Sequence, residues 1–246
     1  MSLPAITSRE QWLAARKELL TEEKEMTRKR DQLNTQRRLL PMVRVDQDYA
    51  FAGEAGQASL RDVFGPHQQL IVQHVMFGPD WEEPCPACSA SLDELSAPLL
   101  THLRGRNTTF AAISRAPLAK IEECRVKRGW EFPWYSSNGS DFNYDFHVSL
   151  DASVAPIMFN YRNAEELKEA GFGWILEGPS EQPGLSCFLR DGDEVYHTYS
   201  TFGRGCEQTG DAYALLDLTA LGRQEEWEEP KGRVATARPA MPDFAV

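Results

Sequence analysis

The sequence has no apolar run long enough to cross a membrane, and it has few cysteines. No stretch approaches the roughly 18 apolar residues of a membrane span, and the N-terminus MSLPAITSREQW lacks the basic segment and apolar run of a secretion signal. The five cysteines, at positions 85, 88, 124, 187 and 206, are odd in number and unevenly spaced, unlike the framework of a small secreted scaffold. These absences predict a soluble, cytoplasmic protein in which a disulfide is transient rather than structural.

Positive charge is also scarce. The chain has 26 Lys+Arg against 37 Asp+Glu, a net charge of −11, whereas nucleic-acid binding needs clustered cations. We therefore expect neither nucleic acid nor a membrane as a partner. The charge is uneven, because residues 1–45 hold ten basic and six acidic side chains, net +4, and residues 46–246 hold sixteen and thirty-one, net −15. A basic arm on an acidic body predicts docking in cis or onto a partner subunit, and so a homodimer through the arm.

Three segments are predicted: a basic helical arm over 1–45, one domain over 46–225 and an acidic, proline-rich tail over 226–246. In the arm, Ser8 and Gln11 form a capping-box start and Pro41 stops the helix. One apolar side chain recurs every seven residues, at Trp12, Leu19, Met26, Leu33 and Leu40. We expect a helix packed along its own domain or a dimer mate, with recognition of a membrane or nucleic acid as the alternative.

The middle segment alternates predicted strands and helices. YAFAGEAGQASLRDVF suggests a hairpin with Gly53 and Gly56 in its turn, and LIVQHVMF at 70–77 a buried central strand. A helix to about Leu103, kinked at Pro98, a strand at 108–113 and a helix at 117–130 follow. SCFLRDGDEVYHTYS at 186–200 suggests a second hairpin, and 210–222 a closing helix. This alternation predicts right-handed crossovers and a partly parallel sheet.

Cys85 and Cys88 lie between a predicted strand and a predicted helix, in GPDWEEPCPACSASL at 78–92. Cys85 then falls at the helix cap and Cys88 at the third residue, positions that a capping side chain normally bridges, so the two sulfurs can meet. Pro86 suits a first helical turn. Unpaired amides and the macrodipole stabilise a thiolate there, lowering a pKa of about 8.5 to roughly 3.5–7.5 in known cases. The pattern favours a redox-active dithiol. The alternatives are a zinc site, which lacks a second ligand pair, and two inert thiols.

Acidic residues around the pair oppose a thiolate, since like charges raise a thiol pKa. They are Asp80, Glu82, Glu83, Asp93 and Glu94. A nearby cation would lower the pKa instead, and Arg115 and Arg204 are the candidates. The direction of the net shift stays open at this point.

Several segments resemble known proteins. The run from YAFAGEAGQASLRDVF through LIVQHVMFGPDWEEPCPACS resembles the opening of the thioredoxin-like superfamily in its peroxiredoxin-type version. SRAP, GWEFPWYSSNGSDFNYDF, HTYSTFGRG, LLDLTALGR and the N-terminal WLAARKELLTEEKEMTRKRDQLNTQRRLLPMV resemble a bacterial family of thioredoxin-like proteins of unassigned function, described as predicted dithiol-disulfide oxidoreductases. The resemblance covers residues 8 to about 225. It implies a thioredoxin-like α/β fold, a central mixed sheet flanked by helices, with a long N-terminal helical arm.

The resemblance also implies roles for the pair. Cys85 would attack a disulfide and Cys88 would resolve the mixed disulfide, with no cofactor beyond the cysteines and with an electron-donating reductant as partner. The substrate stays open between a thiol, a disulfide and a peroxide. In peroxiredoxins a threonine stands three residues before the peroxidatic cysteine. Cys85 occupies that position here, so a peroxidase using Cys88 is the close alternative and a non-catalytic binding or scaffold protein the distant one. Thioredoxins have a cis-proline facing the pair, expected just before SCFLR, where Leu185 stands instead.

Other side chains are candidates for the pocket around the pair: Trp81, Pro84, Pro86, Arg115, Trp134, Ser136, Asp141, Asn143, Asp145, His197, Tyr199 and Arg204. The polar residues at 136–145 could instead cap turns, and the tryptophans could be core and rim packing. Alternation places His197 and Tyr199 on one strand face, with His197 as a structural residue or a proton shuttle. Arg204 could pair with a thiolate or with a surface acid. Cys124, Cys187 and Cys206 are expected to be bystanders unless they lie close to Cys88.

Overall fold

The computed structural model describes residues 3–209, 211–232 and 234–237. The strands in these residues are β1 Val43–Arg44, β2 Ala50–Gly53, β3 Gly56–Ser59, β4 Gln69–His74, β5 Thr108–Ser114, β6 Trp134–Ser136, β7 Ser149–Leu150, β8 Met158–Phe159, β9 Arg162–Asn163, β10 Ser180–Glu181, β11 Gly184–Asp191 and β12 Glu194–Phe202. The helices are α1 Arg9–Arg38, α2 Leu60–Val63, α3 Pro86–Asp93, α4 Ala97–Arg104, α5 Leu118–Arg128, α6 Phe142–Asp145, α7 Ala164–Glu169 and α8 Asp211–Leu216. Two 3-10 helices, Gly173–Leu176 and Gly203–Thr209, complete the set.

An eight-stranded mixed sheet forms the centre, in the order β1-β12-β11-β4-β5-β6-β2-β3. β4, β5 and β6 run parallel, and helical crossovers join them because parallel neighbours cannot be joined by a tight turn. β11 pairs antiparallel with β4, and β12 turns back beside β11 through Gly192-Asp193. The predicted central strand is confirmed as β4, between β11 and β5. The predicted thioredoxin-like fold, a central mixed sheet flanked by helices, is confirmed.

Alternate side chains of the sheet build two separate cores. In β5, Phe110 and Ala112 belong to a cluster with residues of α3, α4 and α5. Ala111 and Ile113 belong to another, with residues of α2 and α6. Successive strand residues point to opposite faces, so each cluster covers one face of the sheet. We call them the α3 face and the α6 face.

The arm is the helix that the sequence predicts, and it is exposed along the single chain. The Ser8 hydroxyl accepts from the Gln11 amide at 3.2 Å, and the Gln11 side chain accepts from the Ser8 amide at 3.3 Å, which confirms the capping box. No residue of α1 is buried, and the apolar heptad residues are 47% to 59% exposed. Near the C-terminal end of α1, the Arg37 guanidinium lies 5.0 Å from the ring centre of Tyr199 in β12. A homodimer through the arm stays a prediction.

The helix predicted to run to Leu103 with a kink at Pro98 is two helices instead. α3 ends at Asp93, and the Ser96 hydroxyl caps α4 by accepting from the Leu99 amide at 3.3 Å. Pro98 lies in the first turn of α4. A first-turn amide has no intrahelical partner, so a proline there begins a helix rather than bending one.

The C-terminal elements are shorter than predicted. The closing helix expected over 210–222 is α8, which ends at Leu216. Residue 210 and much of the tail predicted over 226–246 lie outside the described residues. In the part of the chain that the structure covers, no helix combines the length and the apolar character needed to cross a bilayer.

Gly184, the first residue of β11, lies where the sheet has no room for a side chain. A Cβ there would be 2.8 Å from the Phe202 ring and 3.1 Å from Val148, both of which are buried. We expect Gly184→Ala to lower the free energy of unfolding by about 1–3 kcal/mol, measured in urea, because these neighbours cannot move away without strain. Gly178→Ala is the control, since nothing lies within 4 Å of its Cβ position. Equal losses in the two variants would contradict the steric explanation.

Candidate functional site

The cysteine pair lies at the start of α3, as predicted. Cys85 is the N-cap residue, with φ −50° and ψ 130°, Pro86 is the first helical residue and Cys88 the third. The Cys85 amide donates to the Met76 carbonyl at 2.9 Å, which ties the turn to the end of β4. Cys85 and Cys88 are 8% and 5% exposed, and both are free thiols. Among the described residues, no group of three or more His, Cys, Asp and Glu side chains could hold a metal ion.

The two thiols differ in acidity. A hydrogen bond from the Cys88 thiol lowers the pKa of Cys85 to about 6 against the opposing effect of burial, and the amides of Cys88 and Ala87 lower it further. These amides are first-turn donors of α3, which have no partner within the helix. The same hydrogen bond, together with burial and the charge of Cys85, raises the pKa of Cys88 well above its ordinary value. At neutral pH the pair is therefore a Cys85 thiolate held by a Cys88 thiol.

Cations of α5 pair with the carboxylates that flank the cysteines. The ion pairs are Lys127–Glu83 at 2.6 Å, Lys120–Glu82 at 3.7 Å and Arg128–Asp93 at 3.1 Å. None of these carboxylates is among the groups that set the pKa of Cys85. The helix start and the hydrogen bond between the thiols therefore prevail over the acidic flanks.

Arg204 lies near the dithiol without acting on its acidity. Its Nε is 3.2 Å from a Glu207 oxygen, and its guanidinium lies 4.1 Å from the Trp227 ring centre. Its charge is thus already paired, and no arginine contributes to the low pKa of Cys85. Of the two partners that the sequence suggested for Arg204, a thiolate and a surface acid, the ion pair with Glu207 matches the second.

Arg115 supports a neighbouring loop rather than the thiolate. Its Nη1 donates to Glu181 at 2.9 Å, and the same buried carboxylate accepts from the Ser149 hydroxyl at 2.6 Å. The guanidinium also lies 4.8 Å from the Tyr144 ring centre. Burial raises the pKa of Glu181, although Ser149 and Arg115 act in the opposite direction. Because residues 182–184 follow directly, this ion pair anchors the segment that leads into β11.

A cavity of about 450 Å³ opens beside the dithiol. The first turns of α3 form one wall, and residues 182–185, Trp174 and the 3-10 helix Gly203–Thr209 form the others. Its volume is within the range of small-molecule sites. Most of its lining belongs to segments far from the cysteines in sequence, and for this reason sequence reasoning missed Trp174.

Pro183 is a second residue that sequence reasoning missed. The sequence predicts the strand from Ser186, whereas β11 begins two residues earlier, at Gly184. The proline directly before this strand is therefore Pro183, and it lines the cavity. Its peptide bond is trans, unlike that of the proline facing the pair in thioredoxins. A proline next to an apolar, β-rich run was the available signal.

A β-bulge separates His197 from Tyr199. The register between β11 and β12 shifts between Cys187 and Phe188, so that His197 is opposite Phe188 and Tyr199 is opposite Cys187. The predicted common face is wrong, because the extra residue, Thr198, interrupts the alternation. His197 lies on the α6 face, its ring 5.6 Å from that of Phe188, and it does not line the cavity. Its Nε2 lies 2.7 Å from the Ser200 hydroxyl, and hydrogen bonds through Ser200 and Ser186 connect it to His74.

The polar residues of the 136–145 loop form hydrogen bonds with one another and with neighbouring segments. Ser136 donates to the Ala116 carbonyl at 2.6 Å, Ser137 donates to Asn143 at 2.7 Å, and Tyr49 donates to Asp145 at 2.7 Å. Asp141 precedes α6 as its N-cap residue. None of these residues lines the dithiol cavity, and their bonds are those of turn capping and packing.

The aromatic and proline candidates near α3 differ in how deeply they are buried. Trp134 is buried in the same core cluster as both cysteines, and its Nε1 donates to Ser114 at 3.0 Å. Trp81 is 37% exposed and covers Gly78, two residues beyond Met76. Pro84 is buried directly before Cys85, whereas Pro86 is exposed.

The remaining cysteines are not equivalent. Cys124 lies in α5 within the α3-face core, and Cys187 lies in β11. Cys206, in the second 3-10 helix, lines the dithiol cavity, and its charge contributes to the raised pKa of Cys88. Burial raises the pKa of all three thiols, that of Cys206 to about 12. At neutral pH, Cys85 is therefore the thiolate of this chain.

The sheet order and the cysteine turn at the end of β4 define a thioredoxin-like protein. The chain belongs to a family of bacterial proteins of unknown function (DUF899), which matches residues 1–240. No curated protein matches the sequence.

Several solved structures are similar in fold. Peroxiredoxin Q of Xanthomonas campestris is 14% identical, with a TM-score of 0.46 over 70% of this chain and 91% of that one. Peroxidoxin BcpB of Mycobacterium tuberculosis is 11% identical, with a TM-score of 0.46 over 69% and 93%. A PrxQ mutant of Xylella fastidiosa is 11% identical, with a TM-score of 0.44 over 68% and 90%. At these identities the similarity concerns the fold alone.

Proposed function

We propose that the protein is a thiol-disulfide oxidoreductase in which Cys85 attacks and Cys88 resolves. The observation that carries this proposal is the position of the two thiols in one helical turn, with Cys85 at the N-cap of α3 and Cys88 at its third residue. The pKa of Cys85 is lowered to about 6, and that of Cys88 is raised. A nucleophile must be a thiolate at working pH, and the resolving thiol must stay protonated until the mixed disulfide has formed.

The reaction proceeds in two exchanges. The Cys85 thiolate attacks one sulfur of a substrate disulfide, the substrate S–S bond breaks, and the first substrate thiolate leaves and takes a proton from solvent. Cys88 then loses its proton and attacks the Cys85 sulfur, which releases the second substrate thiolate. The substrate gains two electrons, the protein keeps a Cys85–Cys88 disulfide, and a thiol reductant must restore the dithiol.

A peroxidase with Cys88 as the peroxidatic residue is the competing function. Peroxide attack needs a thiolate, and the raised pKa and burial of Cys88 both disfavour one there. The N-cap position of Cys85, which receives the first-turn amides of α3, favours disulfide exchange instead.

Equilibration of the reduced protein with a glutathione redox series tests the proposal, with free thiols counted by alkylation and mass. We expect a reversible two-electron couple between roughly −270 and −120 mV, toward the oxidising end because the stabilised Cys85 thiolate favours the reduced form. The couple should disappear in Cys85→Ser and in Cys88→Ser and persist in Cys124→Ser. Absence of a protein disulfide under mild oxidant would contradict the proposal. Peroxide consumption that survives Cys85→Ser but not Cys88→Ser would assign the peroxidase.

A further inference from the structure

The dithiol cavity offers no available cation among the residues that the structure describes. The charged side chains that line it are Glu94, Glu207 and Arg204. Arg204 is already paired with Glu207, which also accepts from Arg223 at 2.8 Å. His74 lines the cavity too, but burial lowers its pKa to about 3, so it is neutral. An anionic ligand would therefore approach the Cys85 thiolate while Arg204 is already bound to a carboxylate.

The cavity continues into a second space with several apolar lining residues. A second pocket of about 210 Å³ shares Gln73, Ser91, Glu94, Leu185 and Thr209 with the cavity. Its other lining residues are apolar: Ile71, Leu95, Leu99, Leu103 and Phe110. The two spaces form one groove that leads from the cysteines along α3 toward α4. Its shared part carries polar side chains, and its far end is lined by apolar ones.

One aromatic side chain at the cavity, Trp174, is exposed rather than buried in the core. Trp174, in the 3-10 helix Gly173–Leu176, is 58% exposed and lines the cavity. An exposed indole beside such a groove stacks well on aromatic and other flat groups. Exposed apolar surface next to a concave site is typical of ligand contact.

We propose that the substrate of the dithiol is a small, uncharged organic disulfide whose apolar or aromatic group occupies the groove against Trp174. This inference rests on the proposed disulfide exchange and adds the substrate class to it. A neutral group gains from leaving water in this groove, whereas a carboxylate would be desolvated beside a thiolate with its possible counter-ion, Arg204, already paired.

Two chromogenic disulfides of opposite character provide the test: neutral 4,4′-dithiodipyridine and dianionic 5,5′-dithiobis(2-nitrobenzoate). Their rates with the reduced protein are divided by their rates with N-acetylcysteine amide, which removes the intrinsic reactivity of each probe. We expect the corrected rate to favour the neutral probe by about tenfold or more. Trp174→Ala should slow the neutral probe by about fivefold and leave the anionic probe unchanged. Trp12→Ala, which removes a comparably exposed indole from α1 (47%), should change neither rate.

Three results would overturn the inference. The first is a corrected rate that is equal for the two probes or higher for the dianion. The second is a Trp174→Ala variant that behaves as the parent protein or that slows both probes equally. The third is a disulfide-bonded peptide whose rate, divided in the same way by its rate with N-acetylcysteine amide, exceeds that of the neutral probe. The glutathione couple stays intact in each case, so these results are distinguishable from failure of the proposed function, in which no couple forms.

Discussion

In a Cys88→Ala variant, the pKa of Cys85 should rise from about 6 by roughly one to two units. The hydrogen bond from the Cys88 thiol is the largest cause of the low pKa, and alanine removes it while the amides of the first turn remain. At pH 6 the thiolate fraction then falls from about half to a tenth or less, and alkylation by iodoacetamide should slow about tenfold. Cys88→Ser keeps a hydroxyl donor and should produce a smaller rise.

The other thiols do not interfere with this measurement. The pKa of Cys88 is raised, and burial raises the pKa of Cys124, Cys187 and Cys206. Below about pH 8 the ultraviolet absorbance of thiolate therefore reports Cys85 in the reduced protein. The titration can be done on the full chain with every other cysteine in place.

Ser89→Ala is the matched control for the same helix. Ser89 is adjacent to Cys88, is equally buried, and its hydroxyl has no hydrogen-bond partner among the described residues. Its replacement should leave the Cys85 titration where it is. If Cys88→Ala also leaves it there, the amides of α3 alone lower the pKa, and the opposite acidity of the pair no longer follows from their contact.

The cysteine turn could be predicted from the sequence because each part depends on neighbours in the chain. Local rules alone place Cys85 at a helix cap. The signals are two cysteines three residues apart, Pro86 between them and an apolar run before them. The same locality explains why α1, with its capping box, and the hairpin at Gly192 were predicted closely. These elements establish which side chains carry the proposed chemistry.

The surroundings of the turn could not be predicted, because they depend on tertiary contacts. The effect of the acidic flanks on the thiol pKa stayed open in the sequence, because the cations that pair with them, Lys120, Lys127 and Arg128, lie in α5. The cavity joins segments around residues 85, 174, 183 and 204, whose proximity no spacing reveals. A single bulge at Thr198 reversed the expected relation of two side chains, since one extra residue moves every later side chain to the other face.

Replacing Glu181 with alanine should produce the largest loss of stability among the charged residues around the site. The carboxylate is 7% exposed and binds Arg115 at 2.9 Å and Ser149 at 2.6 Å. Its removal leaves a partly buried guanidinium and a buried hydroxyl unpaired. We expect a loss of about 3–5 kcal/mol in the free energy of unfolding, measured in urea. The neutral-probe rate should fall as well, because the segment that this ion pair anchors forms a cavity wall.

Glu54→Ala is the control for charge alone, since the Glu54–Arg125 pair has the same 2.9 Å separation but a carboxylate that is 75% exposed. It should cost about 1 kcal/mol or less. Glu181→Gln keeps a hydrogen-bonding side chain but removes the group that titrates. The pH dependence of its stability, compared with that of the wild-type protein, therefore isolates the effect of the charge. Burial raises the folded-state pKa of Glu181, so the wild-type protein should lose stability relative to Glu181→Gln as the pH rises through that pKa. Equal losses in Glu181→Ala and Glu54→Ala would mean that the ion pair does not anchor the wall.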